Sequence, residues 1–526
     1  MKQKFPNHEN VCSQEKSRCH HGASGISRRG FLGTSGVAVG AVMGGIALAQ
    51  GKSPASEPPP GQLYPRGKML RVKPAIISQV HKTLPKPNTR PQSWRKYGDI
   101  QTPADLQKEV QRLEKDMKEL AAKSDFPVEF LPMAVVQNKA QAKQVAAGDQ
   151  DAVLVFGACG YDGGRLSSDL ASKVPGIVFV RHRTKPNYGM HVSIGTYLLR
   201  HSPGDTDVEP NYDSCDMVVD DYDEILWRLR ALYALKNARG TKVLAIGKID
   251  RKGGDYRKSI DVWGYEYEVV PLAEFGKRLK AARADQKVAE AVEQQTKNLL
   301  AQPNVKLMTE RKFVFNTLLA RRVAKELMKE VGATNIGISG CMGRGVITTL
   351  DTPPCLLFAL LCDEGLTAYC HVWPVHTVPG VLLRWIAHRP AFVCNSHFPH
   401  DGIYTVAHCA APRRMNGRDY EPTDIMTHYE SDYGAATKVH YTKGQTVTVV
   451  FQAYDGSRWQ GFKGKIVEVP SLPACRSQMD IEVQGDWKKL KDQVGFHVLV
   501  SYGDWLHEVG YVLKKLDQPW ENFSEA

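Results

Sequence analysis

Hydrophobic and polar positions along this chain repeat in two alternating rhythms. Leu106, Val110, Leu113, Met117 and Leu120 recur at helical spacing behind Thr102 and Pro103, an N-cap residue followed by proline in the first turn. Short, largely apolar runs follow: Ala152-Val153-Leu154-Val155-Phe156, Ile177-Val178-Phe179-Val180 and Lys242-Val243-Leu244-Ala245-Ile246-Gly247. A helix opening at Asp223 and closing at Gly240 lies between the last two. Buried strands alternating with amphipathic helices predict parallel βαβ units. A strand over Tyr265 to Val270 starts a second such section. It continues with long helices over about Ala273–Leu300 and Glu310–Val331, then a strand at Asn335–Ser339. After Asp351 the expected helical content falls. Strands over Thr446–Phe451, Phe462–Val469, Met479–Val483 and His497–Ser501 are separated by turn residues.

The reading is an α/β protein. Two N-terminal Rossmann-like parallel α/β domains (101–255 and 256–350) precede a β-rich, barrel-like C-terminal domain (351–526). Residues 50–100 form a Pro- and Lys-rich tether with a first strand near Pro74–Val80. No repeat of solenoid length is visible.

The N-terminus carries an address. Ser27-Arg28-Arg29-Gly30-Phe31-Leu32 is a twin-arginine pattern, followed by a Gly-rich apolar run to Leu48 and an Ala47-Leu48-Ala49 cleavage pattern. This run is shorter than the roughly 20 residues of a spanning helix. Residues 1–49 are therefore expected to be a signal peptide read by the twin-arginine translocase. The rest would be exported, to the periplasm or beyond, with no integral membrane segment. Because that route carries folded proteins, it also hints at a loaded metal or cofactor.

The chain has 526 residues and a net charge of +13. Residues 1–49 carry six basic and two acidic side chains, which leaves the remainder near +9. No basic run with interleaved aromatics is present, which excludes nucleic acid as the expected partner. Nine of the eleven cysteines lie beyond residue 49 without a CxxC pair, so buried free thiols are expected rather than a disulfide framework.

Candidate chemistry concentrates late in the chain. Gly337-Ile338-Ser339-Gly340-Cys341-Met342-Gly343 follows a strand, but it lacks the phosphate-loop spacing and its lysine. Gly157-Ala158-Cys159-Gly160 lacks the dinucleotide spacing. These read as tight turns at strand ends, near a sugar site rather than a nucleotide site. His371, His376, His388, His397, His400 and His408 are six of seventeen histidines within 38 residues. Imidazole is the commonest protein metal ligand, so two or three of these are expected to converge. Trp373, Trp385 and Trp459 are either core residues or sugar-stacking faces.

Four segments, in order, resemble the L-fucose isomerase-like proteins. They are Cys355-Leu356-Leu357-Phe358-Ala359-Leu360-Leu361-Cys362-Asp363-Glu364-Gly365, then His388-Arg389-Pro390-Ala391-Phe392-Val393-Cys394-Asn395, then Val406-Ala407-His408-Cys409, and finally Gly495-Phe496-His497-Val498 with Tyr502-Gly503-Asp504-Trp505. The resemblance runs from about Pro127 to the C-terminus, and the L-arabinose isomerases share its broad architecture. It implies two α/β domains and a β-rich domain, commonly as a homo-oligomer. It also implies a divalent metal, usually Mn²⁺, that grips adjacent sugar oxygens while a carboxylate moves a proton through an enediol. Carried over, the metal ligands are His371, Asn395, His408 and His497, with His371 and Asn395 standing where the family has carboxylates. His371, Asn395 and the nearby Glu364 are the catalytic candidates. Three imidazoles and an amide suit Zn²⁺ or another transition metal better than Mn²⁺. The expected activity is metal-dependent aldose–ketose chemistry on a sugar or sugar-derived substrate. The alternative is a non-catalytic or divergent sugar-binding or lyase-type periplasmic protein on the same scaffold.

Overall fold

Strand β1 (Leu70–Ser78) starts the fold, and its apolar stretch Ala75-Ile76-Ile77 is buried. The computed structural model describes residues 66–80, 97–160, 163–191, 212–249 and 256–525. The twin-arginine segment and most of the tether lie outside the described residues. Helix α1 (Pro103–Lys123) begins where Thr102 and Asp105 form a reciprocal capping box. Its inward stripe is Leu106, Leu113, Met117 and Leu120, with Val110 half-buried. Strands β2 (Val128–Phe130) and β3 (Ala134–Val136), helix α2 (Lys139–Ala146), β4 (Ala152–Cys159), helix α3 (Gly163–Leu170), β5 (Gly176–Val180), β6 (Met217–Val219) and helix α4 (Tyr222–Ala238) complete this section. The sheet is parallel with order β2-β1-β4-β5-β6, and β3 pairs with the far half of β1. Strand β4 is buried at every residue, as a central parallel strand with both faces covered should be.

The second section runs β7 (Lys242–Ile246), α5 (Tyr256–Asp261), β8 (Glu266–Val270), α6 (Leu272–Ala284), α7 (Gln286–Leu300), β9 (Val305–Leu307), α8 (Arg311–Val331), β10 (Asn335–Ile338), α9 (Arg344–Leu350), α10 (Cys355–Asp363), β11 (Thr367–Cys370) and α11 (Pro374–Ala387). Its sheet, also parallel, has the order β11-β10-β7-β8. The sheets cross the boundaries expected from sequence. Strand β7, placed at the end of the first domain, belongs to the second sheet. Strand β11, placed in the C-terminal domain, belongs there too. The stretch after Asp351 is helical rather than β-rich. Helices α10 and α11 are buried almost all round, so they carry no amphipathic stripe for the sequence to display. Among the described residues no single helix is long and apolar enough to cross a membrane.

The last section holds β12 (Phe392–Ser396), β13 (Ile403–His408), β14 (Thr423–Met426), β15 (Ala436–Val439), β16 (Thr446–Gln452), β17 (Trp459–Glu468), β18 (Ser477–Gln484), β19 (His497–Tyr502), α12 (Leu506–Lys515) and β20 (Trp520–Asn522). Six strands close into an antiparallel barrel in the order β16-β19-β12-β13-β18-β17, with β16 and β17 completing the ring. Phe392, Cys394, Tyr404, Val406, Phe451, Phe462, Met479 and Val498 share one core. The alternate residues Val393, Val450 and Leu499 share a different core with α11. The period-2 alternation thus packs both faces of this wall. It brings the ends of β11 and α11 against β12 and β19.

Candidate metal centre

Parallel α/β sheets present functional groups beyond the carboxyl ends of their strands. Here β10 and β11 end side by side, with Cys370 the last residue of β11 and His371 and Cys341 in the turns that follow. The ligand atoms of these three residues all lie within 4.8 Å of one another. His371 still donates its backbone N–H to Ile338 O (3.1 Å), as the strand would, but its φ is +63°. That left-handed conformation is costly for a side-chain-bearing residue. It turns the His371 carbonyl over β10 at Gly337, where an added Cβ would lie 2.5 Å from that oxygen. Glycine at 337 is what allows the turn. The adjacent Cys341 thiol, then burial, push the Cys370 thiol up from its ordinary value.

Behind this trio lies an aromatic and imidazole layer. His371 stacks on Trp373 (centroids 4.4 Å apart), and His376 and His497 pack edge to face at 4.4 Å. His376, the first-turn histidine of α11, is wholly buried. Its Nδ1 is 3.0 Å from Cys370 O. A carbonyl only accepts, so Nδ1 carries the proton and Nε2 keeps its lone pair. That Nε2 is buried with no hydrogen-bond partner. Burial and the neighbouring His497 hold this ring well below the ordinary imidazole value, so it is neutral. His497 meets the Tyr454 hydroxyl through Nδ1 (2.7 Å), and burial with His371 nearby lowers it to about 4.

The structure brings three of the sequence-predicted site residues into one electrostatic neighbourhood: His371, His408 and His497. Asn395 is half-buried on β12 and faces His497 across the antiparallel register. His408, an expected ligand, is hydrogen-bonded through both ring nitrogens. Its Nδ1 accepts from Ala410 N–H (3.1 Å), so Nε2 carries the proton and donates to Cys370 Sγ (3.3 Å). A neutral ring used at both nitrogens has no lone pair left for an ion. Burial, with His497 adding to it, lowers its value to about 3. His408 therefore supports the Cys370 sulfur.

Glu364 is not brought to the cluster. It ends α10 and is held by Arg321 and by Lys325 (2.5 Å), both on α8. Its sequence neighbour Asp363 is buried against Arg413 Nε (2.8 Å) and backbone N–H (2.7 Å), a structural pair. His388 stacks on Tyr233 at the end of α11, and burial with Arg384 lowers it to about 4. Trp385 lies against the Arg384 guanidinium and Trp459 against Trp263, so only Trp373 of the three tryptophans is at the cluster.

Sequence reasoning passed over Cys341, Cys370 and Tyr454, and did not single out His376 from its cluster. One signal for the cysteines was available, because Cys370 ends one apolar strand and Cys341 follows the end of its neighbour. A second group that could hold a metal ion is Cys409, Glu430 and Cys475. All nine described cysteines are free thiols. The chain matches no protein-family model, and no curated protein matches it.

Proposed function

We propose that this chain is an exported, metal-dependent, carbohydrate-active protein whose ion is held by Cys341, Cys370 and His371. The observation that carries the metal is the convergence of these three ligand atoms at the carboxyl edge of the second sheet. The sugar class and the twin-arginine route rest on the resemblance and motif described above.

The donor set does not fit the Mn²⁺ of the isomerases. Hard ions prefer oxygen ligands, whereas two sulfurs and an imidazole suit Zn²⁺ or another borderline ion. The chain's own groups have definite capacities. Trp373 supplies an aromatic wall, and Tyr454 with His497 forms a hydroxyl–imidazole pair able to pass a proton. His376 offers one buried lone pair. No carboxylate belongs to the Cys341–Cys370–His371 group, and a ring lowered to about 4 is a weak base at neutral pH. This favours a second reading, in which the site binds a sugar-type molecule without aldose–ketose turnover.

Two measurements separate the readings. Metal content is measured on exported protein and on a Cys341→Ser/Cys370→Ser variant with an unchanged circular dichroism spectrum. One equivalent of a transition metal should be lost, and retention of all metal would refute the assignment. Incubating the protein with a panel of aldoses and ketoses in D₂O then reads C1 or C2 exchange. Exchange supports isomerase-type chemistry, and saturable binding without exchange supports the second reading.

A further inference from the structure

We infer that Cys409, Glu430 and Cys475 form a second metal site, with its own ligands, that takes a borderline divalent ion such as Zn²⁺ and fastens two loops to the barrel.

The barrel's pairing builds the site. Strand β13 runs antiparallel to β18 with His408 opposite Ser477. The residue after β13 and the residues before β18 therefore leave the ladder as neighbours. These are Cys409, Cys475 and Arg476, and Arg476 N–H lies 3.4 Å from Cys409 Sγ. The turn between β14 and β15 supplies Glu430, with Oε1 3.8 Å from Cys475 Sγ. All three ligand atoms lie within 4.8 Å of one another. Zn–S bonds of about 2.3 Å at tetrahedral angles put two sulfurs roughly 3.8 Å apart, so a small closure completes the geometry.

The surroundings resemble a ligand shell more than a chance contact. The second oxygen of Glu430 is 2.8 Å from Nε2 of His428, a buried ring. Ser431 N–H fills Nδ1 of that ring (3.3 Å), so Nε2 is the donor that orients Glu430. Arg476 bonds Thr427 O through Nε (2.8 Å) and Thr427 Oγ1 through Nη2 (2.9 Å), which ties the two loops at the same place. Cys409 is buried, Cys475 half-buried and Glu430 exposed, which leaves a fourth position open to water.

The test uses the full chain purified under reducing, chelator-free conditions and supplied with zinc. The parent should hold two equivalents. Cys475→Ser should hold one, and so should Cys341→Ser/Cys370→Ser, so failure at one site is read separately from failure at the other. His428→Gln should keep the fold and weaken zinc retention against a chelator about tenfold or more, as loss of an orienting partner does. In the parent, alkylation of Cys475 should be slow with zinc and fast after chelation. The inference is overturned if Cys475→Ser binds as much zinc as the parent. Recovery of Cys409 and Cys475 as a disulfide in the zinc-supplied parent also overturns it.

Discussion

The two parallel sheets bury ionisable side chains near their carboxyl ends in opposite ways. Beyond β5 of the first sheet, the Arg181 guanidinium is 5 % exposed, yet it lies 3.4 Å from Asp116 and 3.6 Å from Glu109. The Tyr222 hydroxyl is 2.8 Å from it, and the rings of Phe179, Tyr188 and Tyr222 lie within 6 Å. Full charges are buried there, and each has its counter-charge. Beyond β11 of the second sheet, His376, His408 and His497 are perturbed by burial and by other histidines. That region is built to stay neutral. Burial without a counter-charge is tolerable for a group that can shed its proton, and costly for one that cannot.

The sharpest way to break the comparison is Arg181→Met. It leaves Asp116 without its cation and Glu109 with Arg112 alone, and should cost about 3 kcal/mol, read from urea denaturation. A loss well under that would mean the network is not held by charge. Acid should act on the other region. In metal-free protein the unfolded chain takes up protons near 6.5, while His497 and His408 resist until about 4 and about 3. Their contribution to stability is therefore complete above pH 6.5 and is lost as pH falls toward those values. The loss should be on the order of 1 kcal/mol per ring by pH 5.5, measured as denaturation midpoints across that range. A His408→Gln/His497→Gln variant should flatten the slope, and an unchanged slope would place the acid sensitivity elsewhere. The smallest effect should come from Tyr222→Phe. It removes one hydroxyl between Arg181 and Asp116 and should cost about 1 kcal/mol with no change in metal content.

How much was legible before the structure follows the same physics. Thr102 and Pro103 announced α1 because capping is local chemistry written in adjacent residues. Four of the six barrel strands, β16 to β19, were legible because turn residues punctuate them. The expected helix over Ala273–Leu300 is in fact two, because Asp285 ends α6 and caps α7 with its own side chain. Helices α10 and α11 were hidden because a helix buried all round has no polar face to set its period. The histidines were visible by their density. Cys341 and Cys475 were not, because each meets its partners only through strand pairing. Glu364 misled for the converse reason: closeness in sequence to a site residue did not become closeness in space, since α8 supplied two cations to hold it.

The closed ring of β-strands also bears on how copies of this chain meet. A ring has no first or last member, so its six strands offer no unpaired backbone to a neighbour, and β20 already lies along β17. Strand β8 is different: it ends the second sheet, with Val269 47 % exposed between the strand's two acidic residues, Glu266 and Glu268, and its last residue, Val270. Glu266 is paired with Lys242 (3.3 Å), so the Glu268 charge is what this edge sets against the same edge of a second copy, and it discourages the two from joining into a continuous sheet.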